Sequence, residues 1–127
     1  MKSKAAEVDA GAARLALHVR LMKGETTVMG PGKSELLGHI AETGSIAEAA
    51  RRMGMSYNRA WLHVKIMNES FAEPLVMSAR GGSSRGGASL SPLGEKVRSL
   101  YESMREEARA AVKKSEKSLM KLLQPMN

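Results

Sequence analysis

At 127 residues the chain has the size of one ordinary domain, with room for a single core. Hydrophobic residues at 43% exclude a wholly disordered chain, aromatics at only 3% favour aliphatic helix packing over a sheet-rich fold, and the absence of Cys excludes disulfides, cysteine-ligated zinc and a cysteine nucleophile. A formal charge of +7 attracts polyanions and disfavours basic partners, which makes nucleic acid the leading partner class.

Residues 1–13 mix Ala, Gly and charge without a period and are expected to form a flexible tail. They contain no apolar stretch of the kind an export signal needs, and nowhere does the chain approach eighteen uninterrupted apolar residues. The expected location is therefore cytoplasmic, with no membrane partner. From Leu15 to Leu21 the sequence LALHVRL sets Leu15, Leu17, Val19 and Leu21 against Ala16, His18 and Arg20, the period of a half-buried strand. The stretch MKGETTVMGPG then reads as a loop, followed by a first helix in SELLGHIAETG that stops at Gly44.

Ser45 and Glu48 have the spacing of a capping box, in which each side chain satisfies the other's free backbone N–H. A short second helix, IAEAARRM, follows and ends at Gly54. Gly54 to Ser56 is a tight turn into a third helix, with Ser56 as its N-cap. At about 100° per residue that helix has two unlike sides. Tyr57, Ala60, Trp61, Val64, Met67 and Phe71 form an apolar arc, which predicts a buried Trp61, while Asn58, Arg59, Leu62, His63 and Ile66 gather opposite.

Pro74 bars further helix, and LVMSAR over Leu75 to Arg80 with ASLS over Ala88 to Ser91 predicts a β-hairpin whose Gly-rich tip, GGSSRGG, carries Arg85. Ser91 and Pro92 open a last helix expected to run to about Leu123. Its narrow stripe of Val97, Leu100, Tyr101, Met104, Ala108 and Ala111 calls for a partner helix, so a homodimer is expected.

The predicted fold is mainly α with a small β-hairpin: a winged helix-turn-helix over residues 14–91 and a long dimerisation helix over 92–123. In such a module the second helix of the pair enters a major groove. Ser56, Asn58, Arg59, Leu62 and His63 are the candidate groove contacts, because Arg pairs with guanine, Asn with adenine, and apolar side chains meet the thymine methyl. Arg51, Arg52 and Lys65 suit phosphates, and Arg80 and Arg85 serve the wing. Between Ser45 and Ser91 six basic residues face three acidic ones, so the charge excess lies where binding is expected. His18, His39 and His63 lack metal-ligand spacing, no Ser sits in a nucleophile elbow, and GGSSRGG lacks the Lys and hydroxyl of a nucleotide-cradling loop. No catalytic residue, metal or cofactor is expected, and the chain does not read as an enzyme.

The phrases MSYNRAW, MNESF and EPLV, the double-glycine wing and the SPLGE entry to the last helix resemble the N-terminal winged-helix domain of ModE-type molybdate-responsive regulators, relatives of the LysR-type DNA-binding domain. The resemblance covers roughly Pro31 to Met104. It implies a homodimer that binds double-stranded DNA at an inverted repeat and regulates transcription linked to molybdenum metabolism. Members of that family that sense molybdate carry appended oxyanion-binding barrels, so the expectation here is a stand-alone DNA-binding unit. Two other readings are an oxyanion (molybdate)-binding protein and a protein-interaction module that uses the apolar Leu62 and Ile66.

Overall fold

The computed structural model describes residues 11–79 and 87–125. Its elements are β1 (Leu21–Lys23), β2 (Thr26–Met29), α1 (Pro31–Thr43), α2 (Ile46–Arg52), α3 (Tyr57–Ser70), β3 (Val76–Ala79), β4 (Gly87–Leu90), α4 (Pro92–Ala111) and α5 (Lys113–Met120). The order is that of a winged helix: a three-helix core, a hairpin, and a long helix beyond it.

Local chemistry sets most boundaries. Pro31 occupies the first turn of α1, where no N–H is needed, and Gly44 ends it at φ 71°. Ser45, Ser56 and Ser91 each accept a backbone N–H at the start of α2, α3 and α4, from Glu48, Arg59 and Gly94 respectively. The box at Ser45 is only half formed. Ser45 Oγ accepts from Glu48 N–H at 3.0 Å, but the Ser45 N–H turns to Thr43 Oγ1 at 3.2 Å, and the Glu48 carboxylate pairs with Arg51 at 3.1 Å. The nearby hydroxyl of Thr43 does what the glutamate was expected to do.

Two strand expectations need correction at the N-terminal side. The strand expected over Leu15 to Leu21 makes no ladder before Leu21, although Leu15, Leu17 and Val19 are half-buried and Ala16, His18 and Arg20 exposed. Alternation reported the buried side of an extended segment docked on the core, where the Tyr101 hydroxyl donates to the Val19 carbonyl at 2.6 Å. The ladder lies instead in the stretch expected to be a loop, where β1 and β2 pair antiparallel with Met22 opposite Thr27 and Lys23 opposite Thr26. Gly24 takes φ 63° in the turn between them, and the β-branched run Thr26, Thr27 and Val28 favours the returning strand.

The core joins Leu36, Leu37 and Ile40 of α1, Ala49 and Ala50 of α2, and Ala60, Val64 and Met67 of α3 to Met29, Leu75, Val76, Ala88 and Tyr101. The three alanines let the helices of the bundle approach closely. β3 and β4 pair in register from Val76 opposite Leu90 to Ala79 opposite Gly87, and an isolated bridge from Ser45 to Gly87 fastens the hairpin to the start of α2. The last helix is not continuous. Val112 leaves regular geometry at φ −96°, ψ −1°, and α5 begins after it. No proline or glycine stands there; no residue of α4 or α5 beyond Tyr101 is buried, so the broken segment has no core contact to hold it straight.

Candidate nucleic-acid interface

The α2–turn–α3 unit is built by three local devices. Gly54 adopts φ 67°, a conformation that costs a residue with a Cβ. The Met55 N–H returns to the Ala50 carbonyl at 3.0 Å, and Ser56 Oγ accepts the Arg59 N–H at 3.1 Å. The turn is thereby hydrogen-bonded on both sides, which sets the angle between the two helices.

Ala60, Val64 and Met67 seal the back of α3 against α1 and α2, at 0%, 4% and 0% exposure. Ser56, Asn58, Arg59 and Leu62 are exposed on the other side, and Ile66 is half-buried. Among the described residues Arg59 forms no ion pair.

The buried arc is narrower than its apolar composition suggests. Trp61, expected in the core, is 43% exposed, and Tyr57 is 50% exposed. Both lie on the edge of α3 that leans toward the hairpin, where with Met77 and Asn68 they line an open groove of about 530 Å³. Helical periodicity gives the direction of these side chains but cannot report that the hairpin stands off from them. Phe71, at the other end of the arc, follows the helix as its C-cap and is half-buried.

The phosphate candidates are engaged in the free protein. Arg51 pairs with Glu48 at 3.1 Å, Arg52 with Glu42 at 2.7 Å, and Lys65 with Glu69 at 3.3 Å. All three pairs are solvent-exposed, a setting in which an ion pair contributes about 0–1 kcal/mol, so exchange for a phosphate costs little. Arg80 and Arg85 lie outside the described residues.

His63 is half-buried, and its Nδ1 sits 3.1 Å from Nζ of Lys33, thirty positions away in α1. Burial lowers the His63 pKa from its ordinary 6.5, and the positive charges of Lys33 and Arg59 lower it further. Burial likewise lowers the Lys33 pKa from 10.5. Lys33 was not a candidate in the sequence; its one signal was a cation in a helix first turn that holds no acidic residue.

Asn68 was also missed as a single residue, although it lies within the MNESF phrase. Its Oδ1 accepts the N–H groups of Leu75 and Val76 at 2.8 and 3.0 Å, and its Nδ2 donates to the Val76 carbonyl at 3.1 Å. One side chain thus ties the end of α3 to the first wing strand and fixes their relative placement. Among the described residues no cluster of three or more His, Asp or Glu could hold a metal, and no helix is long and apolar enough to cross a membrane.

Comparison with known proteins agrees with this geometry. The family model for the bacterial regulatory helix-turn-helix protein, lysR family, matches residues 33–95, from α1 to the first turn of α4. The molybdenum-pterin-binding protein MopB of Rhodobacter capsulatus is 43% identical over 91 residues, which are 72% of this chain and 34% of that protein. The DNA-binding transcriptional dual regulator ModE of Escherichia coli is 40% identical over 72 residues, 57% of this chain and 28% of that one. The chain therefore spans about a third or less of the length of these curated relatives. Among solved structures, a chain from the CbnR_DBD-DNA complex superposes with a TM-score of 0.54 at 18% identity, covering 69% of this chain and 95% of that one, a likeness of fold.

Proposed function

Residues 33–95 belong to the lysR family of bacterial regulatory helix-turn-helix proteins, and from that premise we propose that the chain is a sequence-specific DNA-binding transcriptional regulator acting as a cytoplasmic homodimer. Residues 14–91 would be its DNA-binding unit and the helix from residue 92 its dimerisation element. One observation carries the reading: α3 is sealed from behind by Ala60, Val64 and Met67 while Asn58, Arg59 and Leu62 stand free on its outer side. A helix so mounted fits a major groove about 12 Å wide. Arg51, Arg52 and Lys65 then meet phosphates by exchanging their surface carboxylates, and Arg80 and Arg85 act from the wing. Relatives named for molybdenum-pterin binding and for molybdenum transport support genes of molybdenum metabolism as the regulated set.

Selection from random duplexes tests this directly. The expected product is an inverted repeat with half-sites about 34 Å apart, one DNA turn. Arg59→Ala should weaken binding to it by about tenfold or more. Recovery of no repeated motif from the wild-type chain would refute the proposal.

A further inference from the structure

Lys33 and His63 make a contact that fold stability alone does not call for. Lys33 is 7% exposed and occupies the first turn of α1, where free backbone N–H groups make the local field positive and disfavour a cation. A buried ammonium ordinarily finds a carboxylate. Here no carboxylate is paired with it among the described residues, and its hydrogen-bonding partner is the imidazole of His63 on α3.

The identity of the two atoms decides the direction of the bond. An ammonium carries three N–H groups and no lone pair, so Nδ1 must accept. A neutral imidazole that accepts at Nδ1 carries its proton on Nε2. Protonation of Nδ1 would turn an N–H against the ammonium and add charge beside both Lys33 of α1 and Arg59 of α3. Among the described side chains only His39 Nδ1 is both buried and unpartnered, so Nε2 of His63, which has no partner among the described residues, is not sealed from solvent by them.

We infer that Lys33 is a positioning residue that holds His63 as the neutral Nε2–H tautomer, so that α3 presents a donor there, suited to the acceptor edge of guanine or thymine and unsuited to the cytosine amine. In the major groove guanine offers N7 and O6, thymine offers O4, and cytosine offers an N–H donor from N4. The same contact steadies the ring plane, because rotation would break the bond to Nζ. The base-reading half of the inference rests on the DNA-binding reading above; the tautomer half does not.

Two measurements on the full chain keep those halves separate. In ¹⁵N-histidine-labelled protein without DNA, at about pH 7.5, long-range ¹H–¹⁵N spectra should show His63 protonated at Nε2 with Nδ1 hydrogen-bonded. Lys33→Met should add an Nδ1–H population and raise the His63 pKa, and Lys33→Arg, which restores a donor, should return both toward wild type. A wild-type His63 that is protonated at Nδ1, or exchange-averaged, overturns the inference whatever happens with DNA.

The second measurement compares base preferences selected by wild type, Lys33→Met and His63→Ala. His63→Ala locates the base pair read by the imidazole. At that position alone, Lys33→Met should reduce discrimination against cytosine by about five- to tenfold. Uniform weakening on all sequences with unchanged preference would assign Lys33 to phosphate contact and overturn the positioning role. If wild type selects no motif while the spectra are as expected, the DNA reading fails and the tautomer lock stands.

Discussion

Asn68 shows what one side chain can hold. It satisfies two backbone N–H groups and one carbonyl at the start of β3, where Leu75 and Val76 are buried. Asn68→Ala should destabilise the fold by about 2–3 kcal/mol, since buried polar groups left unpaired cost about 1–3 kcal/mol. Asn68→Asp keeps both acceptor bonds but turns a carboxylate oxygen against the Val76 carbonyl, so it should also destabilise, less at acid pH where the protonated acid can donate again; denaturant titration of both variants at two pH values checks this. His63 yields a pH effect of definite sign. Its folded-state pKa lies below the ordinary 6.5 because of burial and of the charges of Lys33 and Arg59. Below about pH 6.5 the unfolded chain therefore binds a proton that the folded chain refuses, and stability falls as pH drops until the folded form also protonates. His63→Gln should flatten that part of the curve in melting temperatures recorded between about pH 5 and 8.

At the scale of elements, the junction of wing and last helix depends on close backbone approach. The Ser91 N–H bonds to the Leu75 carbonyl at 2.9 Å, Ser91 Oγ donates to the Pro74 carbonyl at 2.7 Å, and the same Oγ caps α4 through Gly94 N–H at 2.9 Å. Gly94 faces this seam so tightly that a methyl group on it would lie 2.2 Å from the Leu75 oxygen. Gly94→Ala should cost about 1–3 kcal/mol through forced backbone displacement, and its melting transition should fall by several degrees. Several element boundaries were legible because each depends on residues a few positions apart: Gly44, Ser45, Gly54, Ser56, Ser91 and Pro92. The start of α1 was not, since Pro31 reads as the end of a loop but occupies the first turn of the helix. The hairpin of β1 and β2 was overlooked because its strands are of three and four residues, too short for alternation to register.

For the whole molecule, the face of α4 left uncovered is the feature that bears on assembly. Leu21, Met29, Phe71, Val97, Leu100 and Met104 line an apolar recess of about 220 Å³, with Leu100 at 60% and Met104 at 39% exposure. Of the residues proposed for dimerisation, Tyr101 is buried within its own chain, Val97 and Ala108 are half-buried, and Ala111 is exposed. On the proposed dimer, Leu100→Glu should therefore leave the fold intact, give a monomer in sedimentation, and reduce affinity for the proposed inverted repeat sharply, because one half-site supplies only part of the contacts. Affinity should also fall with salt at a slope of about −0.9 per phosphate neutralised, so a dimer meeting six to ten phosphates loses about a thousandfold or more between 50 and 200 mM salt. A shallow slope would place binding elsewhere than on this basic surface.

By itself the sequence determined the bodies of α1 to α3 and the entry to α4, the caps at Ser45, Ser56 and Ser91, the turn before α3, the hairpin of the wing and the sealed position of Ala60, Val64 and Met67, because propensity, capping and periodicity act over one or two turns of chain. The break at Val112 carries no such local signal. Only the tertiary structure decided that Trp61 stands at the rim of a groove, that Lys33 reaches His63, that Asn68 clasps β3, and that Tyr101 bonds to Val19 82 positions away. Those outcomes depend on how far apart whole elements pack. Separation between elements is the sum of many side-chain volumes across the core, and no local pattern encodes it.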